Sequence, residues 1–458
     1  MQLLNQTAFP SQAFDSIDQH GETFHVFVLR QTFDLTPDGL AAADEQEPLC
    51  DTDAFFGAVN GSGVRQESDF CPCKPRCDII VNASAHAPSA IPVQRFETGL
   101  EVRRPERMPA DPPVQGESLG ECLLHKTLLV TGERSLRQRA LPLRLMIAAA
   151  KWMTLGRVRI PAWRMTPPQP FTTLPLRYEC AFGGEHRIDA GTTPAQRAGR
   201  MDKEALKEAL LTPEELAAHP DAAATGAGQP LAHQVCEANP LGLGFARAWY
   251  LKASGGKTVA APRIEYPAQA MTARRFCAAL EGRWTPQTAG FGIVGRAWLP
   301  RAALVGQDRP AAPGSTLPRD FDQGYWNAAP ADQQCGHLRG DECITLLNLC
   351  PAAHPAARRD PQGQTLLRFA LPGAGAYLAL SDVDGAVGIR HLAIDTVTVD
   401  PDASRVDIVW RAALPAAARL ARVHLRIGAA GAAEAETDRP AATPAGSHST
   451  TPGIGHVA

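Results

Sequence analysis

Residues 393–400, AIDTVTVD, and residues 405–410, RVDIVW, flank the tetrapeptide Pro401-Asp402-Ala403-Ser404. Both flanks are rich in β-branched residues, which pack well on a pleated, half-buried surface. Pro and Asp between them are turn formers: Pro presets φ, and Asp bonds its own neighbouring backbone. The stretch predicts an antiparallel hairpin closed by a four-residue turn. The same grammar recurs upstream. In residues 93–102 (VQRFETGLEV), Phe96, Leu100 and Val102 fall on one face, and Arg95, Glu97 and Glu101 on the other. That period of two marks a half-buried strand. Residues 23–36 (TFHVFVLRQTFDLT) are aromatic and β-branched and end at Pro37-Asp38-Gly39, a turn tripeptide. Residues 126–131 give a further strand, closed by Gly132.

Composition agrees. Apolar residues are 44% and charged residues 20% of 458, enough to build a core and too apolar for a wholly disordered chain. Gly and Pro number 39 each, an excess that favours short strands and turns over a helical bundle. The expected fold is mainly β (β-rich α+β): antiparallel sheets in a sandwich-like body with many loops. A short helical insertion is expected around 201–219, where Thr212-Pro213-Glu214-Glu215 supplies an N-cap, Pro at the first helical position and Glu three residues after the cap. Residues 221–230 (DAAATGAGQP) read as a loop. The regions expected are an N-terminal β-rich one (1–140), a mixed middle one (141–245), a C-terminal β-rich one (246–427) and a disordered tail (428–458).

Formal charge is −3, from 45 basic and 48 acidic residues, which argues against a nucleic-acid binder. The N-terminal residues carry no basic segment followed by an apolar one, so the expected location is the cytoplasm. The most apolar window, 140–153, is broken by Arg144 and Lys151 and too short to span a bilayer. The 11 Cys are scattered and odd in number, which reads as reduced thiols rather than a disulfide scaffold.

Few motifs promise chemistry. Cys71, Cys73 and Cys77 with His86 offer three thiolates and an imidazole, the ligand types of a zinc site. Their C-x-C-x3-C spacing lacks the paired knuckles of such sites, so a proline-stiffened loop with small apolar side chains is the better reading, and no cofactor is expected. Gly290-Phe-Gly292-Ile-Val-Gly295 fits G-x-G-x-x-G, but Trp298-Leu-Pro300 follows where a helix should run, which leaves a tight turn. Arg339-Gly340-Asp341-Glu342 reads as a polar turn leading into a strand, and Asp382-Val-Asp384-Gly385 as another turn. No nucleophile elbow, zincin or Walker sequence is present. The expectation is a protein that is not an enzyme; the alternative is a hydrolase-like site assembled from distant loops.

One set of short motifs carries a resemblance. In order they are Leu4-Asn5 with Thr7 and Phe9; Phe33-Asp34-Leu35; Asp44-Glu45-Gln46 with Pro48-Leu49; Glu67-Ser68-Asp69; and Lys74-Pro75 with Asp78. Next come Leu176-Arg177-Tyr178-Glu179 with Ala181-Phe182-Gly183-Gly184, and Asn239-Pro240 with Gly242, Gly244 and Phe245. The set closes with Gly295-Arg296, Trp298-Leu299-Pro300-Arg301, Phe321-Asp322, Trp326-Asn327-Ala328-Ala329-Pro330, Asp332-Gln333-Gln334, Leu338 to Glu342 and Leu346 to Leu349. Over residues 1–412 the chain resembles the bacterial family called domain of unknown function 2169. The resemblance implies an adaptor chaperone of type VI secretion, one that holds a toxic effector. It would help load that effector onto the spike, a valine-glycine repeat trimer capped by a PAAR tip. An alternative role is a structural or secreted component of that machine. The expected partners are the effector and the spike-tip protein, with no nucleic acid and no membrane. Thiols at Cys71, Cys73 and Cys77 depart from the family pattern. Candidate contact residues are Glu67, Asp69, Lys74, Asp78, Trp326, Asn327, Arg339, Asp341 and Glu342. For the charged ones, ion pairs and turn caps that fix loops compete with a polar gripping surface; for Trp326, an interface anchor competes with core.

Overall fold

The computed structural model describes residues 2–59, 62–105, 120–140, 146, 162–181, 238–241, 258–287, 289–309, 317–382, 387–416 and 420–429. The first strands are β1 (Gln2–Asn5), β2 (Ser11–Ile17), β3 (Thr23–Thr36), β4 (Gly39–Ala42), β5 (Ala54–Phe55) and β6 (Val64–Gln66). Then come β7 (Cys77–Val81), β8 (Ser84–His86), β9 (Arg95–Arg104), β10 (Glu121–Thr131) and β11 (Ser135–Gln138). Strands β12 (Trp163–Met165), β13 (Thr173–Pro175), β14 (Thr258–Ala260) and β15 (Ile264–Glu265) precede two short helices, α1 (Ala273–Leu280) and α2 (Leu299–Ala302). The C-terminal part adds β16 (Gln334–Cys335), β17 (Cys343–Leu347), β18 (Ala357–Arg359), β19 (Thr365–Ala370) and β20 (Ala374–Asp382). It ends with β21 (Val387–His391), β22 (Ala393–Asp400), β23 (Arg405–Pro415) and β24 (Leu420–Ala429).

The protein is mainly β. Its largest sheet runs β16-β7-β22-β23-β3-β2, with β4 added on β3. A second runs β15-β10-β9-β17-β19-β18, and a third β1-β24-β20-β21. The hairpin that opened the reading is β22–β23, with Asp400 opposite Arg405 and a register shift between Ile394 and Thr396. Next to it lies β3, with the bounds expected from its composition, between β23 and β2. Residues 26–33 of that strand are buried in succession, as a central strand covered on both faces demands. One continuous apolar cluster joins Phe27, Ile79, Val397 and Ile408 of the first sheet to Leu100, Leu128, Ile344 and Leu367 of the second. The two sheets therefore share one apolar core.

Several expectations need correction. The sheets are not wholly antiparallel: β7 pairs parallel to β22, and β1 parallel to β24. The strand expected over 93–102 starts at Arg95, because Val93 turns away to bridge Phe171. The strand expected from 126 begins at Glu121, where four further residues, Glu121, Cys122, Leu124 and His125, pair with β9. Gly428 and Ala429, assigned to a tail, close β24 opposite Gly375 and Ala374. Helix α1 was not foreseen; its signals are the Thr272 side chain capping Arg275 N and Phe276, fully buried edge-on to Trp163. The expected helix over 201–219, the loop over 221–230, Val383, Asp384 and Gly385, and residues 430–458 lie outside the described residues, as does most of the region 141–245.

The glycine run at 290–295 is a turn. Among the described residues no strand leads into it, and α2 starts only at Leu299. A Cβ on Gly290 would stand 2.4 Å from the Tyr178 ring, so glycine is needed there for close packing rather than for a phosphate.

Candidate functional site

Asp78 is the second residue of β7, opposite Thr396 of β22 on one side and Gln334 of β16 on the other, with no exposed surface. A polar group buried without hydrogen bonds costs stability, so what this side chain bonds to matters. Its oxygens accept from Lys74 Nζ at 2.8 Å, Asn327 Nδ2 at 3.0 Å, Ala328 N at 2.8 Å and Ala329 N at 3.2 Å. Lys74 also donates to Thr396 Oγ1 at 2.8 Å. Burial alone would push the Lys74 ammonium down, but Asp78 in contact with it raises the pKa above the ordinary lysine value.

The network spreads from this pair. Thr396 Oγ1 donates to Asp395, whose other oxygen accepts from Arg411 Nε at 2.6 Å. Arg411 also donates to the carbonyls of Asp69 and Cys71, at 2.7 and 2.8 Å. Burial again opposes its charge, and Asp395 holds it raised. On β3, Arg30 spans Asp69 at 3.2 Å and Asp407 at 2.8 Å. Glu67 takes both terminal guanidinium nitrogens of Arg301, whose Nε donates to Tyr325 O. The fork geometry of arginine suits each of these paired contacts. The space left among these groups is a cavity of about 20 Å³, room for one water molecule.

The structure thus brings together Glu67, Asp69, Lys74, Asp78 and Asn327. Trp326 lies beside them, half-buried, between Phe321 and Tyr325, with its Nε1 donating to Gln323 Oε1 at 3.1 Å. Arg339, Asp341 and Glu342 form a separate turn. There Glu342, fully buried, accepts from Arg339 N, Gly340 N and Arg104 Nε. Sequence reading missed Arg30, Arg301, Arg411, Asp395 and Asp407. Arg30 within VFVLRQTF and Arg411 after DIVW did carry a signal, since a charge inside an apolar strand survives only when paired.

The sulfur cluster separates. Cys73 Sγ points to Gln323 Oε1, and Cys71 is buried beside Arg411. Cys77 pairs across strands with Cys335. Burial pushes the Cys71, Cys73 and Cys77 thiols up, away from the thiolate a metal needs. His86 is on β8, with Nε2 3.6 Å from Asp402. Among the described residues no three His, Cys, Asp or Glu side chains are placed to hold a metal ion.

Two other polar groups invite a catalytic reading. Lys126 of β10 is buried, 3.0 Å from both Asp332 Oδ1 and Gln333 Oε1, and burial lowers its pKa to about 8. Gln333 Nε2 donates to Ile79 O and Phe291 O, so this cluster ties the two large sheets together. Ser404 Oγ lies 3.1 Å from His354 Nε2, while His354 Nδ1 accepts from Ala356 N. That backbone bond puts the imidazole proton on Nε2, facing the serine, the reverse of what a general base requires.

Compared with known families, residues 20–411 match the one described as "uncharacterized protein conserved in bacteria (DUF2169)". The chain belongs to this family. No curated protein and no solved structure matches it. The DUF2169 region begins in the turn before β3 and ends at Arg411, so it contains both outer arginines of the network together with the loops they fasten.

Proposed function

We propose that this DUF2169 protein is a non-enzymatic adaptor, a rigid β frame that holds another protein in the bacterial cytoplasm. Following the family resemblance, that partner is a type VI secretion effector, which the adaptor helps load onto the valine-glycine repeat spike and its PAAR tip. One observation carries the adaptor part: Glu67, Asp69, Lys74, Asp78 and Arg301 of the family motifs bond to groups inside the protein instead of facing solvent. Asp78 has no exposed surface and spends its oxygens on four internal donors. A catalytic carboxylate has to reach a substrate, whereas a buried and fully bonded one fixes backbone. The motif residues therefore act as fasteners that hold the loops in one shape, and the outer surface is left to recognise the partner. The secretion-specific part rests on the resemblance alone. Co-expression with the products of the flanking genes tests the reading. A stable complex on gel filtration is expected for an effector among them; separate elution with unchanged effector solubility would refute it.

A further inference from the structure

Cys77 and Cys335 stand directly opposite each other in the antiparallel pair β7–β16. Residues opposed in this way have Cα atoms about 4.5–5.5 Å apart, inside the range that a disulfide spans. Both thiols are free and buried. No other strand cysteines share this placement among the described residues: Cys122 and Cys343 stand on either side of Arg103, with β9 between them. The Cys77 thiol beside it lowers the pKa of Cys335, against burial and Glu342, and the Arg76 and Arg104 charges add to the effect. Cys335 is therefore the better nucleophile of the two, and Cys77, raised by burial, stays protonated. The pair also lies close to solvent. Strand β16 is the edge of the largest sheet and only two residues long. Pro75 and Arg76 before Cys77 are exposed, as are Gly336 and His337 after Cys335. A short edge strand opens locally without global unfolding, which gives a small oxidant access to the sulfurs.

We propose that Cys77 and Cys335 form a redox site, joined by a reversible disulfide when the protein meets hydrogen peroxide. The Cys335 thiolate attacks one peroxide oxygen and the O–O bond breaks. Cys335 becomes a sulfenic acid, and the other oxygen leaves as water. The Cys77 thiol then attacks that sulfur, which forms the S–S bond and releases a second water. Together the thiols give up two electrons and two protons, and the peroxide takes up both. The bond acts on the segment 327–335, which is fastened to β7 by hydrogen bonds. Asn327 Nδ2 donates to Arg76 O, Ala328 N and Ala329 N donate to Asp78, and Gln333 Nε2 donates to Ile79 O. A disulfide adds a covalent tie between residues hundreds of positions apart, which restricts the unfolded chain and stabilises the fold. Oxidation thus locks the segment that supplies Asp78 with its donors. The site does not depend on which partner the protein holds.

The test oxidises the full chain with hydrogen peroxide, blocks the remaining thiols with N-ethylmaleimide and digests the product with trypsin. Cleavage after Arg76, Arg95, Arg319 and Arg339 puts Cys77 on residues 77–95 and Cys335 on residues 320–339, each without a second cysteine. The expected product is these two peptides joined, lighter than their sum by two hydrogens, and absent after dithiothreitol. The urea midpoint of the oxidised chain should rise and return to the reduced value with dithiothreitol. Cys335→Ala is expected to lose both the joined peptide and the rise. If that variant fails to fold, the joined peptide and the reversible midpoint of the native chain decide alone. Recovery of both peptides fully alkylated would overturn the proposal. So would Cys335 trapped as a sulfinic acid, either cysteine joined mainly to a different one, or an oxidised chain no more stable than the reduced.

Discussion

Replacing Asp78 by Ala would leave Lys74 charged and buried, and strip Asn327 Nδ2, Ala328 N and Ala329 N of their acceptor. Breaking one side of a buried pair costs about 3–5 kcal/mol, far more than the net worth of the intact pair. Asp78→Ala is therefore expected to lose that much stability in urea unfolding, while an exposed change such as Arg358→Gln stays within about 0.5 kcal/mol. Lys126 makes a prediction of its own, because its folded pKa of about 8 lies below the ordinary lysine value of 10.5. Between those limits the unfolded chain binds the proton and the folded chain does not, so this residue makes stability rise with pH. Below about pH 8 both states are protonated and the burial penalty is carried in full. The buried thiols Cys71, Cys73 and Cys77 act in the opposite sense, since their raised pKa values keep them protonated in the folded state after unfolded thiols have ionised. The check is the difference between the native chain and Lys126→Met. From pH 8 to 10 the native chain should gain stability relative to the variant, and parallel curves would refute the assignment.

At the scale of elements, what the sequence made legible is what neighbouring residues decide. The β22–β23 hairpin and β3 were readable because their turns and their apolar content are local. The start of β10 was not, since Glu121 and Cys122 look like loop until β9 stands beside them to pair. The charged network was half legible. Short motifs flagged Glu67, Asp69, Lys74, Asp78 and Asn327, and Lys74 meets Asp78 only four residues on, but Arg301 of α2 and Arg411 of β23 reach Glu67 and Asp69 from hundreds of residues away. The pairing of Cys77 with Cys335 was invisible for the same reason, because only strand register sets them opposite each other. Turn geometry at Gly340 gives the prediction at this scale. Its φ is +95°, and a Cβ there would lie 2.7 Å from the Ala374 carbonyl, which is backbone and cannot swing aside. Its N–H also donates to Glu342 at 3.0 Å, so the glycine holds both the turn and the buried carboxylate behind it. Gly340→Ala is expected to destabilise by about 1–3 kcal/mol in urea unfolding, through the forbidden backbone region and the displaced cap.

For the whole molecule, the order of strands makes one physical claim about folding. In the largest sheet β7 lies between β16 and β22, and β3 between β23 and β2, so strands from the two ends of the chain interleave. The second sheet repeats this, with β9 between β10 and β17. A fragment ending at residue 181 keeps β7 without either neighbour and exposes the edges of β3 and β9, along with apolar residues such as Val26, Ile79 and Leu100. The complementary fragment from residue 238 keeps β22 and β23 but loses β3 and β7, against which they are buried. Unpaired long strands with an apolar face are templates for aggregation, so each fragment expressed alone is expected to be insoluble. Co-expressed, the two should restore both sheets, because every missing neighbour is supplied by the other piece. They are expected to co-elute as a one-to-one complex and to separate only in denaturant. Soluble, folded fragments that elute independently would instead divide the chain into two autonomous units and contradict the interleaved sheet. The outcome also bears on the adaptor role. A frame whose halves complete each other unfolds as one body, so a partner docked anywhere on it would stabilise the Asp78 network as well. That linkage is read as a higher urea midpoint for the native chain in the presence of the partner.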